Sequence, residues 1–316
     1  MDHEGDAAGF QGRLVKAGMK KSGFIAIIGR PNVGKSTLLN RLVGEKLAGV
    51  SPKPQTTRDV IRGILTRDEG QVVFLDTPGV HEPHDLLGQW MIREVEKSIA
   101  GADLVYWMVL PEKIHPFEKK ILEILRPVSI PVFLLVNQID RFPKPQVLPV
   151  LAEYAAAFSF RELIPISAKA GDQLDLLIQK TFEHLPEGPL LFPEDQISDQ
   201  NERFIAAEII REKLFHFTGE EIPYAATVVI ESFKERNETL IDIQATVVVE
   251  KESQKAIVIG KGGEKTKQIG QAARLDLERF LGKKVFLQLW VKTLPHWKRD
   301  QNALRQLGYQ RTALPF

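Results

Sequence analysis

Gly29-Arg30-Pro31-Asn32-Val33-Gly34-Lys35-Ser36, followed by Thr37, stands directly between a continuous apolar run, Phe24–Ile28, and a helical pattern, Ser36–Val43. An unbroken apolar run of that length is what a strand buried on both faces requires. Strand, glycine-bracketed turn ending in Gly-Lys-Ser, and helix together make the pattern of a phosphate-binding loop. Glycines let backbone N–H groups turn inward around phosphate oxygens, and the helix N-terminus adds partial positive charge. Lys35 is then placed to reach the β- and γ-phosphates, and the Ser36 hydroxyl to bind Mg²⁺.

The same rhythm continues downstream. Val72–Leu75, Leu104–Leu110, Val132–Val136 and Leu163–Ile166 are apolar runs, separated by helical patterns at Leu87–Ala100, Phe117–Leu125, Val147–Phe158 and Leu174–Leu185. Such alternation predicts an α/β fold, a mostly parallel sheet with helices on both faces and ligands at the carboxyl ends of its strands. Near Leu185 the pattern breaks at Pro186, Gly188, Pro189 and Pro193, which read as a linker. Beyond it come a helix at Glu202–Phe217, β-rich runs at Ala226–Phe233 and Leu240–Glu250 joined by the turn Lys234–Glu238, a glycine cluster, a helix at Glu264–Leu281 and a strand at Val285–Thr293. The expected division is an extension over 1–21, a phosphate-binding domain over 22–188, a linker over 189–200 and an α+β domain over 201–316. The extension, rich in Gly, Ala and charge, is expected to be disordered.

Three short motifs, each at a strand end, select among nucleotides. Asp76-Thr77-Pro78-Gly79 places a carboxylate where it can hold Mg²⁺ through water, and Gly79 where its N–H can approach a γ-phosphate. Asn137-Gln138-Ile139-Asp140 sits at the edge where a base would lie. A carboxylate there accepts from both the ring N–H and the exocyclic amine of guanine, a pair of donors that adenine lacks. Ser167-Ala168-Lys169 would cover the base oxygen with a backbone N–H.

The succession GRPNVGKS, QTTR, DTPG, N-x-x-D and SAK resembles the Era family of translation-factor-related GTPases, over nearly the whole chain after residue 21. That resemblance implies a Ras-like P-loop GTPase domain followed by a type II KH domain. It implies GTP hydrolysis with Mg²⁺, binding to the 3′ end of small-subunit (16S) rRNA, and a part in assembling the 30S subunit. Lys35, Thr57 and Gly79 are the residues it assigns to catalysis, and Ser36, Thr57 and Asp76 those for Mg²⁺. Thr56 remains the alternative to Thr57, within a polar loop, Ser51–Asp59, suited to close on γ-phosphate. A second mobile stretch is expected at His81–Leu87, with His81 and His84 as solvated loop residues.

Two positions depart from common GTPase patterns. Gln138 stands where NKxD motifs carry a lysine whose stem packs over the base. Val80 stands where Ras-like enzymes carry a water-orienting glutamine, which implies slow intrinsic hydrolysis. Asn32 matches the asparagine that binds K⁺ in related potassium-dependent GTPases; simple stabilisation of the loop is the competing role.

In the second domain, Gly260-Lys261-Gly262-Gly263 joins an apolar segment to a helix, as the GxxG loop of KH domains does. Glycines there permit close approach of single-stranded RNA, and the following helix presents its N-terminus to phosphate. Lys265 and Lys267 add charge. Trp297-Lys298-Arg299 is read as a stacking and phosphate-contacting group, with packing of Trp297 against the core as the alternative.

Composition narrows the remaining classes. Lys+Arg 42 against Asp+Glu 41 leaves a net charge of +1, so no global field steers partners. Zero cysteines remove disulfides, thiolate metal sites and a cysteine nucleophile, and suit a cytoplasmic location. No apolar run is long enough for a transmembrane segment, which leaves weak peripheral membrane contact as the most a membrane could offer. A P-loop metabolic enzyme with an accessory nucleic-acid-binding domain is the competing function, disfavoured by Asp140 and the DTPG motif.

Overall fold

The computed structural model describes residues 20–51, 53, 56–219 and 221–309. Residues 1–19 of the extension expected over 1–21, Gln55 of the QTTR motif and residues 310–316 lie outside the described residues, whereas Lys21 already belongs to the first strand.

Six strands form the larger sheet: β1 (Lys21–Ile28), β2 (Ile61–Arg67), β3 (Gly70–Asp76), β4 (Leu104–Val109), β5 (Val132–Val136) and β6 (Glu162–Pro165), in the order β2-β3-β1-β4-β5-β6. All pairings are parallel except β2 with β3. Strand periodicity explains the apolar runs. In β1, Ile25 and Ile27 enter one buried cluster while Ala26 and Ile28 enter another; in β4, Tyr106 and Met108 oppose Val105 and Trp107 in the same way. The covering helices are α1 (Lys35–Val43), α2 (Leu86–Ala100), α3 (Pro116–Leu125), α4 (Lys144–Ala157) and α5 (Leu174–His184).

The sequence pattern singles out no strand at Ile61–Arg67, where the structure places β2. Gly63 and the charged Arg62 and Arg67 weaken the local β signal. Gly63 is nonetheless required, because a Cβ there would lie 2.6 Å from Leu39 and 2.7 Å from Val43 of α1. The start of α4 also differs. It begins at Lys144 rather than Val147, because prolines fit a first turn, where their missing N–H would be unpaired anyway.

Residues 189–200 lie along the outer edge of this sheet. The N–H groups of Leu191 and Phe192 both donate to Gln71 Oε1 at 2.8 Å, and Ile64 N–H donates to Ile197 O at 2.9 Å. The segment thereby covers an edge strand that would otherwise expose unpaired backbone.

The second domain contains α6 (Glu202–Phe217), α7 (Glu221–Ala225), β7 (Thr227–Asn237), β8 (Leu240–Val249), α8 (Glu252–Ile259), α9 (Glu264–Leu281), β9 (Lys284–Thr293) and α10 (Gln301–Gln306). Its sheet runs β7-β8-β9, with β7 and β8 antiparallel and β8 and β9 parallel. β7 extends into the stretch expected to be turn, because residues up to Asn237 still pair with β8. One contiguous buried cluster contains Ile25 and Leu38 of the first domain, Leu47 and Ala48 from the loop after α1, and Ile209, Ile243 and Leu277 of the second.

Candidate functional site

The loop between β1 and α1 holds its shape by backbone conformations that need particular residues. Gly29 has φ +152, and a Cβ there would lie 2.4 Å from Met108 O. Gly34 has φ +101, with Asn137 Nδ2 only 2.4 Å from any added Cβ. Lys35 is buried, and its Nζ donates to Gly29 O at 3.2 Å and Arg30 O at 3.1 Å. Burial pulls its pKa down to about 8, opposed by the charge of Asp76. The ammonium is therefore desolvated in advance and held over the loop where phosphate would sit.

Three oxygen-bearing side chains converge beside it. Ser36 Oγ donates to Asp76 Oδ2 at 2.6 Å, Thr57 Oγ1 lies 2.8 Å from Ser36 Oγ, and Thr57 Oγ1 donates to Asp76 Oδ2 at 3.4 Å. Burial pushes the Asp76 carboxyl up to about 6, opposed by Lys35 and by the hydrogen bonds from Ser36 and Thr57. Asp76 Oδ1 is buried without a hydrogen-bond partner. Hard oxygen donors around an unsatisfied carboxylate oxygen fit Mg²⁺. Thr56 instead turns its hydroxyl to Lys53 O at 2.8 Å, so Thr57 is the threonine that joins Ser36 and Asp76.

Gly79 packs so closely that a Cβ would lie 2.8 Å from Pro31. Thr77 Oγ1 donates to Ile27 O at 2.8 Å, and Val80 N–H to Gly29 O at 3.0 Å, tying Thr77-Pro78-Gly79 to the P-loop. The Val80 side chain is buried in the cluster on the α2–α3 face of the sheet and does not line the cavity at the P-loop. His84 is exposed, and His81 Nδ1 contacts Gly79 O at 2.9 Å.

At the base end Asn137 acts as a tie. Its Nδ2 donates to Val33 O at 2.7 Å, and its Oδ1 accepts from Ala168 N–H at 2.9 Å, so P-loop and Ser167-Ala168-Lys169 are fixed to each other. Asp140 Oδ1 accepts from Ser167 Oγ at 2.7 Å, which orients the carboxylate. A cavity of about 670 Å³ links these regions, lined by P-loop residues, Thr56, Thr57, Gly79, Gln138, Arg141 and Lys169.

The second domain carries its own groove of about 560 Å³. Gly260, Gly262 and Gly263 all have positive φ, at 72, 60 and 81, and a Cβ on Gly262 or Gly263 would meet open space. Lys261 is exposed on this turn. One wall is α9, where Lys267, Gln271 and Arg274 share a helix face; the other is β9, with Leu289 and Trp290. Trp290 is 43% exposed, a large indole left in water at the lip of a basic groove.

A family model described as "50S ribosome-binding GTPase" matches residues 24–138, and one described as "KH domain" matches 221–298. A crystal structure of Era in complex with MgGDPNP and nucleotides 1506–1542 of 16S ribosomal RNA is 41% identical, with a TM-score of 0.89 over 92% of this chain and 99% of that one. A point variant of Aquifex aeolicus Era bound to GDP·AlF4⁻ is also 41% identical, with a TM-score of 0.88 over the same shares. The chain belongs to the Era family. It is a GTPase of mixed α/β fold with a KH-like domain behind it.

Within this Era-family chain the assignment of Trp297 to RNA stacking is corrected. Trp297 is fully buried; its Nε1 donates to Ala225 O at 3.0 Å and its ring stacks on Tyr309 at 5.8 Å between centroids. The cause is a turn at His296, φ 57, that folds Trp297, Leu304 and Tyr309 onto Leu87, Trp90 and Met91 of α2. Lys298 goes with it, pairing with Glu250 at 3.0 Å and Asp85 at 3.7 Å, whereas Arg299 stays exposed. The aromatic at the groove is Trp290. The spacing of 267, 271 and 274 on one face below the GxxG turn is the sequence signal for that wall.

Nothing in the sequence around Arg58 marks it as buried. It follows Thr57, is fully buried, and donates to Pro223 O at 2.7 Å and Ala226 O at 2.9 Å of the KH-like domain. Its guanidinium lies 5.6 Å from the Trp297 ring centroid. The loop expected to close on the γ-phosphate is thus anchored in the second domain, and Lys53 Nζ adds a bond to Phe215 O at 2.5 Å.

Proposed function

We propose that the chain binds GTP and Mg²⁺ in the cavity at the P-loop, hydrolyses GTP slowly on its own, and holds the single-stranded 3′ end of small-subunit rRNA in the α9–β9 groove. Its place in the cell is assembly of the 30S subunit in the cytoplasm. No helix among the described residues is long and apolar enough to cross a membrane. The observation that carries the reading is the adjacency of Thr57 and Arg58: one side chain joins the Ser36–Asp76 pair, the next is buried in the KH-like domain.

Ser36, Thr57 and Asp76 would hold Mg²⁺, which supplies charge neutralisation at the β- and γ-oxygens. Lys35 adds a desolvated positive charge on the same phosphates, and the backbone of Gly34 to Ser36 presents the N-terminus of α1 to them. Gly79 allows the backbone after Asp76 to approach the γ-phosphate without a side chain intervening. With Val80 buried, no side chain at that position positions the attacking water, so hydrolysis relies on backbone dipoles and added cations. K⁺ beside Asn32 is part of this reading, since Asn32 lines the cavity at the phosphate end. Turnover is expected to be faster in KCl than in NaCl, and equal rates remove the ion.

Asp140, oriented by Ser167, selects guanine. In the groove, the Gly260–Gly263 turn receives backbone phosphates, Lys261 and Lys267 neutralise them, and Trp290 offers a face for a base. Displacement of a fluorescent GDP by GTP and by ATP, run beside binding of a short oligonucleotide with the 3′-end rRNA sequence, tests the whole. Selectivity for GTP with oligonucleotide binding is expected; equal competition by ATP and no binding would refute it.

A further inference from the structure

We propose that Arg141 is a nucleotide-holding residue that, braced by Gln138, supplies the positive charge missing from the base-reading motif. This rests on the guanine-nucleotide reading of the cavity given above. Gln138 has φ +65, a left-handed conformation uncommon for a residue with a Cβ. That conformation sends its amide back to the P-loop, where Nε2 lies 3.4 Å from Asn32 O, a contact at the long limit of a hydrogen bond. The other end of the same amide is occupied: Arg141 Nη1 donates to Gln138 Oε1 at 3.0 Å. A backbone turn, Arg141 N–H to Gln138 O at 2.9 Å, brings the two residues together.

Gln138 and Arg141 line the nucleotide cavity, as does Lys169 from the loop that follows β6. Asparagine–glutamine–isoleucine–aspartate brings no long cationic side chain of its own to the cavity, where an NKxD motif would bring its lysine, so Arg141 and Lys169 are the cations placed at that end. A guanidinium tethered by one bond to Gln138 can reach over a purine, where it is attracted by the π-face and sheds water more readily than an ammonium. Gln138 therefore acts as a brace between P-loop and guanidinium, and Arg141 as the group that meets the nucleotide.

The test is a double-mutant cycle on the full chain, reading fluorescent GDP affinity with Arg141→Ala, Gln138→Lys and the two combined. Arg141→Ala alone is expected to weaken GDP roughly three- to thirtyfold, the range of a partly desolvated cation–π contact. In the Gln138→Lys background the same truncation should cost under about twofold, because the lysine restores the cation. Arg141→Lys should recover only part of the loss, and the apo protein's unfolding midpoint should be unchanged by Arg141→Ala. Equal losses in both backgrounds, or no loss from Arg141→Ala, overturn the inference. If the unmodified chain itself fails to prefer GDP to ADP, the nucleotide reading falls instead, and the two failures are distinguishable in one titration series.

Discussion

Arg58→Ala perturbs the junction between nucleotide and RNA sites without touching either ligand. The substitution removes two charge-assisted hydrogen bonds, at 2.7 Å to Pro223 O and 2.9 Å to Ala226 O, and the guanidinium over Trp297. Hydrogen bonds to charged groups contribute about 1.5–3 kcal/mol each, and a buried cation–π contact roughly 0.5–2 kcal/mol. Against that sum, the variant no longer desolvates a guanidinium, which returns several kcal/mol. The net falls at about 2–4 kcal/mol, on the order of 30- to 900-fold in the equilibrium that docks the Thr57 loop on the KH-like domain. A buried carbonyl left unpaired keeps the net from vanishing. The assay is oligonucleotide affinity measured with GDP and with a non-hydrolysable GTP analogue. Any ratio between those affinities is a coupling free energy, and a two-state element that both sites bias must carry it. Arg58→Ala should collapse the ratio towards one, and hydrogen exchange should quicken at Glu221–Ala225 and Trp297–Tyr309. Arg58→Lys should fall between, since an ammonium lacks the planar fork that reaches both carbonyls. Unchanged protection in those segments together with an unchanged ratio would refute the argument.

The two tryptophans should separate cleanly. Trp290→Ala is expected to weaken oligonucleotide binding by about 1–3 kcal/mol with stability intact, whereas Trp297→Ala should cost about 3–5 kcal/mol of stability; urea unfolding beside RNA titration checks both. Chelation of Mg²⁺ should speed release of a bound guanine nucleotide, and Asp76→Asn should remove that sensitivity, as followed by fluorescent-nucleotide dissociation. A bridge of Lys46 to Glu212 at 2.9 Å and to Asp276 at 2.8 Å ties the loop after α1 to α6 and α9. Although burial works against it, hydrogen bonds from Lys213 and Lys46 hold the Asp276 carboxyl below the usual range. A depressed carboxyl stabilises the fold above its unfolded pKa, near 3.9, and that contribution is lost as pH falls through the lower folded value. Bonds to Asp276 and Glu212 outweigh burial at Lys46 and raise its pKa, so its share persists until pH rises beyond 10.5. Both groups are partly solvated, so Asp276→Asn should cost no more than about 1 kcal/mol at neutral pH. The gap to the parent chain should close in acid unfolding curves.

What could be read along the chain was whatever local chemistry dictates. A P-loop needs glycine at φ +152 and φ +101, whatever lies elsewhere, so Gly29 and Gly34 announce it. The buried strands announce themselves because a doubly covered sheet tolerates no polar alternation. β2 was silent for the opposite reason: as the outer strand it pairs on one side with β3, and its Gly63 answers to Leu39 and Val43 on another element. Arg58 and Trp297 mark the deeper limit. In sequence Arg58 is one more charged residue of a polar loop, and Trp297 is an aromatic among basic side chains. They are buried because they meet each other from opposite ends of the chain, in a space closed by Tyr309 and Ala226. No window of sequence contains both partners, so the neighbours of Arg58 give no sign of its burial, and those of Trp297 leave stacking on RNA and packing against the core equally open. Gln138 lies between these cases. Its departure from the lysine pattern was visible, while its consequence, a brace for Arg141, needed the left-handed turn that brings the two side chains together. A conspicuous substitution in a motif is therefore best read as a demand on some nearby residue, and the turn geometry says which one.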